Sequence, residues 1–454
     1  MLQGKSRVHL VGIGGCSMNG LAQILRARGY DVKGSDRDSS PFTQKLTELG
    51  IPVFIGHKAE QVGDAEALIY SAAIKKDNPE RVYAREHGIP EIERSVALGE
   101  LSEQYPDVVG VAGCHGKTTI TSMLAKIAQV GALDATVHVG GDVDFLSGGT
   151  RIGRSGLFIT EACEYVESFL TLQPTVALIN NIDDDHLDYY KDIEEITEAF
   201  RKFLRLLPED GLFLGCSDDV RVRALLENPP QKVRTISYGM ADADYTPANI
   251  EFDEFGHSSF DVMYQGENLG RIALQIPGTH NIINALAATA VSLVLGESFA
   301  DIKAGLAEYT LTRRRFEFYG ERDGIKIYHD YAHHPAEIAA VLDGASRVPH
   351  GKLYCVFQCN SYTRARTLFL HDVNCFRLAD EVLVPDIYPG REIDNGSVHA
   401  RDMVNAINAA DPGKAQYLGT FENIRAYLDE NAKPGDLVLT VGSGDVYKQT
   451  RKLL

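Results

Sequence analysis

The run Val108-Val109-Gly110-Val111-Ala112-Gly113 passes directly into Cys114-His115-Gly116-Lys117-Thr118-Thr119, then into a segment with Met123, Leu124, Ile127 and Ala128 on one face. β-Branched apolar residues predict a buried strand and the three-four spacing predicts a helix, so the glycines between them form a tight turn. Such a turn aims consecutive backbone N–H groups from the positive end of a helix, an arrangement that binds phosphate. Lys117 then reaches the terminal phosphates and the Thr118 hydroxyl reaches Mg2+. A Gly-Lys dipeptide in an ordinary turn is the alternative. The spacing departs from the usual phosphate-loop pattern, because its earlier glycine falls on Val111. Strand, glycine turn and helix commit the surrounding chain to a parallel α/β sheet.

The same pattern opens the chain. Val8-His9-Leu10-Val11 leads into Gly12-Ile13-Gly14-Gly15-Cys16-Ser17-Met18 and a helix with Leu21, Ile24 and Leu25 inward, stopping at Gly29. The loop falls short of a dinucleotide fingerprint because Ser17 stands at the last glycine, while Asp36 lies where an acid meets a ribose. It indicates a nucleotide diphosphate without selecting NAD, and a nicotinamide dehydrogenase stays as an alternative that Ser17 disfavours. Short apolar runs at 51–55 and 67–71 continue this part. From about Leu311 strands are expected at 325–331, 352–358, 381–385 and 436–441, with helices near 335–346, 365–379, 400–410 and 421–430. The 454 residues, at roughly 150 per domain, therefore divide into three α/β domains. These are a Rossmann-like domain over 1–105, a central phosphate-loop domain over 106–310 and a C-terminal Rossmann-like domain over 311–454.

Two acid-rich segments follow expected strands of the middle domain. One holds Glu161 and Glu164, and the other is Asn181-Ile182-Asp183-Asp184-Asp185-His186-Leu187-Asp188. Open α/β sheets place ligands at the C-terminal ends of their strands. Carboxylates there suit Mg2+ and His186 suits a second ion, with a solvated acidic loop as the alternative. Pro277-Gly278-Thr279-His280-Asn281 opens a helix whose His280, Asn281 and Asn284 could meet a purine edge, although Asn at a helix start also serves as a cap. Arg313-Arg314-Arg315 can reach a transferring phosphoryl group or form a solvated face. His333 and Arg364 follow strands and suit a carboxylate substrate, capping being the other reading for the histidine.

Charge narrows the partners. With 63 acidic against 45 basic residues the formal charge is −18, and no basic stripe is present, so nucleic acid is not an expected partner. No apolar run reaches membrane length and no signal-peptide layout opens the chain, so a cytoplasmic protein without a membrane partner is expected. The seven cysteines, Cys16, Cys114, Cys163, Cys216, Cys355, Cys359 and Cys375, show neither CxxC nor zinc spacing and read as reduced thiols.

Taken in order, the phosphate loop, the acidic strand ends, His280-Asn281 with Asn284-Ala285-Leu286-Ala287-Ala288, Arg314-Arg315-Phe316-Glu317, Asp330-Tyr331-Ala332-His333-His334-Pro335 and the closing Gly442-Ser443-Gly444-Asp445 resemble the Mur ligases over essentially the whole chain. Tyr70-Ser71-Ala72-Ala73-Ile74, Asp77-Asn78-Pro79-Glu80 and Asp386-Ile387-Tyr388 with Arg391-Glu392 add to the resemblance. It implies an ATP-dependent, ADP-forming amide ligase of peptidoglycan precursor synthesis, with Mg2+, UDP-N-acetylmuramate and an amino acid, L-alanine, as partners, in a monomer or weak homodimer. In that frame Gly113, His115, Gly116, Lys117, Thr118, Thr119 and Asn284 hold ATP, and Asn281, with His280, contacts its adenine. Thr118 and Glu161 ligate the first Mg2+, His186 ligates the second, and Arg314 approaches the γ-phosphate. Gly12, Gly14, Gly15, Ser17, Met18, Asp36 and Ser71 receive the UDP part, while His333 and Arg364 orient the amino acid. Several positions depart from the family pattern: Cys114, Cys163, His329, Leu311, and Cys359-Asn360 beside the expected amino-acid pocket. They keep open a different amino acid, a recycled peptide, or a non-catalytic nucleotide-binding relative. Lys202 is the one nearby candidate for the carbamoylated lysine of some relatives.

Overall fold

The computed structural model describes residues 2–187, 189–253, 255–310, 314–390 and 392–454. Asp188, Leu311, Arg313 and Arg391, which figured in the sequence reading, lie outside the described residues. Three sheets form among the described residues. In the first, the spatial order is Val53–Ile55, Asp31–Asp36, Arg7–Val11, Ala67–Tyr70, Glu91–Glu93, all parallel. This is the 3-2-1-4-5 order of a Rossmann-like half-sheet, and it puts the loop after the first strand at the switch point where ligands bind.

The second sheet runs from Gly148–Arg151 through Thr136–Val143, Leu157–Glu161, Asp107–Ala112, Val176–Ile179 and Leu212–Cys216 to Arg234–Tyr238. Its first two strands pair antiparallel and the others parallel. The strand that feeds the phosphate loop thus lies between the two strands that end at Glu161 and just before Asn180, so three loops emerge at one sheet edge. The order continues through Tyr245–Phe252, His257–Tyr264 and Glu267–Pro277.

The third sheet has the order Glu317–Arg322, Ile325–Asp330, Leu437–Val441, Leu353–Phe357, Glu381–Pro385, Ala415–Gly419. Only its first pair is antiparallel. Leu353, Cys355 and Phe357 belong to one buried cluster and Tyr354 and Val356 to another. Successive side chains point to opposite faces, so both faces are covered, as a parallel sheet requires.

Contacts group the chain into two compact units. One comprises Met1–Ala248, Val262–Gly270 and Ile283–Glu308, the other Asn249–Asp261, Arg271–Ile282 and Tyr309–Leu454. The helix expected near 365–379 is not formed. A single turn at Tyr362–Arg364 passes into a π-helical turn at Ala365–Phe369, and a separate 3-10 turn follows at Asn374–Phe376. The reason is aromatic packing: the Phe369 and Phe376 ring centroids lie 6.3 Å apart, and both rings contact Phe357. Seven residues of straight helix would separate them by about 10 Å along the axis, so the chain folds back. The strands Ala415–Gly419 and Glu317–Arg322 were not anticipated from the sequence. Both show partly exposed patterns that lack a long apolar run.

Two glycines in helices have opposite predicted responses. A Cβ at Gly99 would lie 2.2 Å from the backbone oxygen of Thr171, whereas at Gly344 its closest neighbour would be 3.6 Å away. Gly99→Ala is expected to cost about 1–3 kcal/mol through overpacking. Gly344→Ala, inside the helix Pro335–Arg347, is expected to gain up to about 1 kcal/mol from helix propensity. Thermal unfolding of the two variants should shift in opposite directions.

Candidate functional site

The turn between the strand Asp107–Ala112 and the helix Lys117–Val130 requires glycine twice. Gly113 has φ +132° and Gly116, the residue before the helix, has φ +86°. A Cβ at Gly116 would also lie 2.6 Å from Asn180 Nδ2 and 2.8 Å from Asn284 Oδ1. No side chain caps this helix, so its first N–H groups face the turn, as phosphate binding needs.

The loop is strapped from the neighbouring strand. Asn181 Oδ1 accepts from His115 N at 2.7 Å, and Asn180 Nδ2 and Asn181 Nδ2 donate to His115 O at 3.1 and 3.0 Å. His115 Nε2 is 3.0 Å from Asp183 Oδ2, and Cys114 Sγ accepts from Asp183 N at 3.2 Å. Tyr238 OH holds Asn180 Oδ1 at 2.9 Å. Asn180 escaped the sequence reading, although its position directly after a buried strand was the available signal. Asn284 stands at this loop, 3.4 Å from Asn180 Nδ2.

Lys117 Nζ donates to Glu164 Oε1 and Oε2 at 2.9 and 2.8 Å, to Cys114 O at 3.2 Å and to Gly113 O. Glu164 is 1% exposed and Lys117 14%. Burial pushes the Glu164 carboxyl upward, but Lys117 and then His186 outweigh it and hold it below the usual range. Burial pushes Lys117 downward, and Glu164 overturns that effect and raises it. The sequence offered Glu164 only as one of the carboxylates suited to Mg2+. The structure makes it the hub: His186 Nε2 lies 3.5 Å from Glu164 Oε1 and 3.7 Å from Asp185 Oδ2. His186 adopts φ +55°, which a non-glycine residue rarely does, and its ring lies 4.6 Å from that of Tyr165.

Thr118 Oγ1 donates to Glu161 Oε2 at 3.2 Å, and Gly140 N donates to Glu161 Oε1 at 2.7 Å. The expected pair for a first Mg2+ is therefore assembled. Glu164, Asp185 and His186 form a second group whose ligand atoms lie within 4.8 Å of one another. Two carboxylates and an imidazole, beside a hydroxyl–carboxylate pair, fit a divalent cation. Thr119 is buried at the helix start. Lys202 instead forms an exposed ion pair with Glu167 at 2.6 Å.

The first-domain loop is also built from its backbone. Gly12 has φ +83°, its N–H and that of Ile13 donate to Ser35 O, and Gly15 N donates to Gly12 O. Asp36 Oδ2 accepts from Gly14 N at 2.8 Å, so it braces the loop. Ser71 N donates to Val11 O. Gly15 precedes the helix Cys16–Ala27, which carries no side-chain cap. Ser17 Oγ accepts from Arg94 Nη1 at 3.2 Å and lies 3.0 Å from His138 Nε2. Burial, with help from Arg94, depresses His138 to about 3, so it is neutral and can accept from Ser17. Arg94 and His138 had no sequence signal. Met18 lies in the core at 2% exposure and supports the loop from below.

In the second unit, Asn281 Nδ2 donates to Pro277 O at 2.7 Å; as a donor inside the helix it ties the helix start to the preceding strand and does not cap it. Burial lowers His280 to about 4. Arg314 adopts φ +65°, and its guanidinium lies 4.5 and 4.4 Å from the ring centroids of Tyr331 and Tyr447. Its Nη2 points at Ser443 O. His333 Nδ1 is 3.1 Å from Tyr331 O and 3.3 Å from Glu337 Oε2. Arg364 N donates to Ser361 Oγ, and Asn360 Nδ2 donates to Ser443 Oγ at 2.7 Å. Ser443 thus lies between the segments of Arg314 and Asn360. Burial raises Asp330, which receives N–H groups from Phe316 and Ala332, to about 6.

The chain belongs to the Mur ligase family. Residues 7–106 match the model of the Mur ligase family catalytic domain, 111–292 that of the Mur ligase middle domain and 314–444 that of the Mur ligase glutamate ligase domain. It is 46% identical to UDP-N-acetylmuramate–L-alanine ligase of Acetivibrio thermocellus, over 97% of this chain and 94% of the relative. It is 44% identical to the enzyme of that name from Alkaliphilus metalliredigens, over 98% and 96%. Among solved structures it is similar to the UDP-N-acetylmuramate–alanine ligase of Thermotoga maritima, with a TM-score of 0.78, 26% identity and 98% of each chain covered.

The Lys117–Glu164 pair sets the expected pH response. A carboxyl held below its unfolded value stabilises above about pH 4.5, and this is lost as pH falls through the folded value. A raised lysine stabilises below about pH 10.5, and this is lost only above it. The pair therefore supports the fold throughout the neutral range. Lys117→Met leaves a buried carboxylate without its main partner and is expected to cost about 3–5 kcal/mol. Burial then raises Glu164, so the deficit should shrink on acidification from pH 8 to pH 5. Urea unfolding of both proteins at the two pH values measures this, and an equal deficit at both would contradict it.

Proposed function

We propose that this chain is an ATP-dependent, ADP-forming ligase that joins L-alanine to the lactyl carboxylate of UDP-N-acetylmuramate in peptidoglycan precursor synthesis. The observation that carries this reading is the phosphate loop. Lys117, Thr118 and Glu161 stand together at one sheet edge, in a chain 44–46% identical to ligases of that name over nearly its whole length. The reaction must bring a carboxylate and a polyphosphate together, so the main task of the site is to neutralise and orient charge.

Loop N–H groups between Gly113 and Thr119 cradle the phosphates and Lys117 donates to their terminal oxygens. Thr118 and Glu161 hold Mg2+, while His186, with Glu164 and Asp185 beside it, holds a second divalent cation. Bound there, the cations offset the negative charge that otherwise repels the attacking carboxylate from the γ-phosphate. The lactyl carboxylate takes the phosphoryl group to give an acyl phosphate and ADP, and the amine of the amino acid then displaces phosphate. Arg314, stiffened between two tyrosines, suits a transferring phosphoryl group, because its guanidinium is fixed before the substrate arrives. Asn281, with His280, serves the adenine side, and Asn284 belongs to the ATP site beside the phosphate loop. His333 and Arg364 orient the amino acid, Arg364 through its carboxylate. The loop Gly12–Met18, with Asp36 and Ser71, receives the UDP part: the uncapped helix at Cys16 offers N–H groups to a diphosphate. The regions 1–105, 106–310 and 311–454 are its stations for the UDP-sugar, ATP and the amino acid. The enzyme works in the cytoplasm as a monomer or weak homodimer. Among the described residues no helix is long and apolar enough to cross a membrane.

Purified protein with ATP, Mg2+ and UDP-N-acetylmuramate should release phosphate with L-alanine faster than with glycine, L-serine or a tripeptide. Lys117→Ala should abolish release. No release with any of these, where a family member of known activity works, would overturn the reading. Arg364→Ala should raise the KM for L-alanine at least tenfold and leave that for ATP unchanged, which steady-state kinetics with each substrate varied will show.

A further inference from the structure

Lys117 carries three N–H donors, and four acceptor atoms surround it: both oxygens of Glu164, Cys114 O and Gly113 O. No donor is left over for a phosphate oxygen, so any phosphate that Lys117 contacts must displace one of these acceptors. The two loop carbonyls are fixed by the turn. Glu164 has the movable side chain, and it is also the acceptor that a phosphate resembles: an anionic pair of oxygens binding the same ammonium.

From this competition we infer that Glu164 is a positioning residue that acts through Lys117, occupying the lysine until a phosphate group takes its place. The inference rests on the phosphate-binding reading of the loop. The surroundings of Glu164 favour an exchange over a simple loss. Its backbone is anchored, since Tyr190 OH and Glu167 N both donate to Glu164 O, so only the side chain need turn. Its Oε1 is already 3.5 Å from His186 Nε2, on the side where Asp185 stands. The carboxylate released by Lys117 therefore has a second partner within reach. Exchange of this kind also discriminates among ligands, because a neutral or weakly basic group cannot compete with a buried carboxylate for the ammonium.

The test uses the full chain and metal-free ADP in the presence of EDTA, with binding followed by calorimetry and by the ADP-dependent shift in melting temperature. Removing the competitor should tighten binding, so Glu164→Gln is expected to bind ADP about tenfold more strongly than the wild type. A residue that merely supports the loop would weaken binding when altered. A double-mutant cycle separates action through Lys117 from a general effect of negative charge: in a Lys117→Met background, Glu164→Gln should leave ADP affinity unchanged. Unchanged or weaker binding by Glu164→Gln, or the same tightening in both backgrounds, would overturn the inference. Glu164→Asp, which keeps the charge but shortens the arm, should show a smaller tightening and serves if Glu164→Gln does not fold. If wild-type protein binds no ADP at all, the reading of the loop fails first. Wild-type binding without the predicted gain defeats this inference alone.

Discussion

A lysine ammonium and a glutamate carboxylate, set side by side beneath the phosphate loop, favour each other's charged form against the desolvation that opposes both. Desolvation opposes each charge, and their mutual attraction, with His186 on the glutamate side, reverses the balance. Buried pairs of this kind seldom raise stability over an apolar replacement, but losing one partner is expensive. Their value here is positional. Lys117 is pinned at the start of its helix, Glu164 is pinned between Lys117 and His186, and the acids at Asp183 and Asp185 are arranged around the same loop.

The parallel sheet makes this arrangement possible. The strands that end at Ala112, Glu161 and Ile179 are neighbours and run in one direction, so the loops that follow them emerge together. Residues far apart in sequence, Lys117, Glu164 and His186, thereby become neighbours without any local motif joining them. The strapping of the loop follows the same rule, because Asn180 and Asn181 stand at the end of the adjacent strand and can bond to His115. The first sheet repeats the scheme on a smaller scale, with Asp36 at the end of one strand bracing Gly14 at the end of the next.

Features that rest on local chemistry were legible in the sequence. The strand into Gly113, the helix with Met123, Leu124, Ile127 and Ala128 buried, and the strands Leu157–Glu161 and Glu381–Pro385 all follow from period and turn residues. Thr118 beside Glu161 was expected from the family resemblance, which makes the two residues ligands of one Mg2+. What escaped were contacts made in three dimensions by residues with an ordinary local pattern. Arg94 and His138 meet Ser17 from other elements, and the buried His9, Ser35 and Glu80 gather with the partly exposed His57 from four separate segments. The helix expected near 365–379 failed for the same reason. Local propensity favoured it, but Phe369 and Phe376 had to reach Phe357 together.

Net charge shows how far an average can mislead. A chain of formal charge −18 would repel a polyphosphate and a UDP-sugar at long range, yet long-range repulsion between exposed charges fades beyond about 8 Å at physiological ionic strength. What remains at contact is local, set in each unit by individual cations and the groups that hold them. Lys117 is held by a carboxylate, and Arg314 lies between two aromatic faces. Each cation is held in place, Arg314 by two ring faces and Lys117 by a carboxylate that any competing anion has to displace. Net charge and local pairing therefore act on different scales: the first bears on solubility and encounter, the second on what each cation touches at contact.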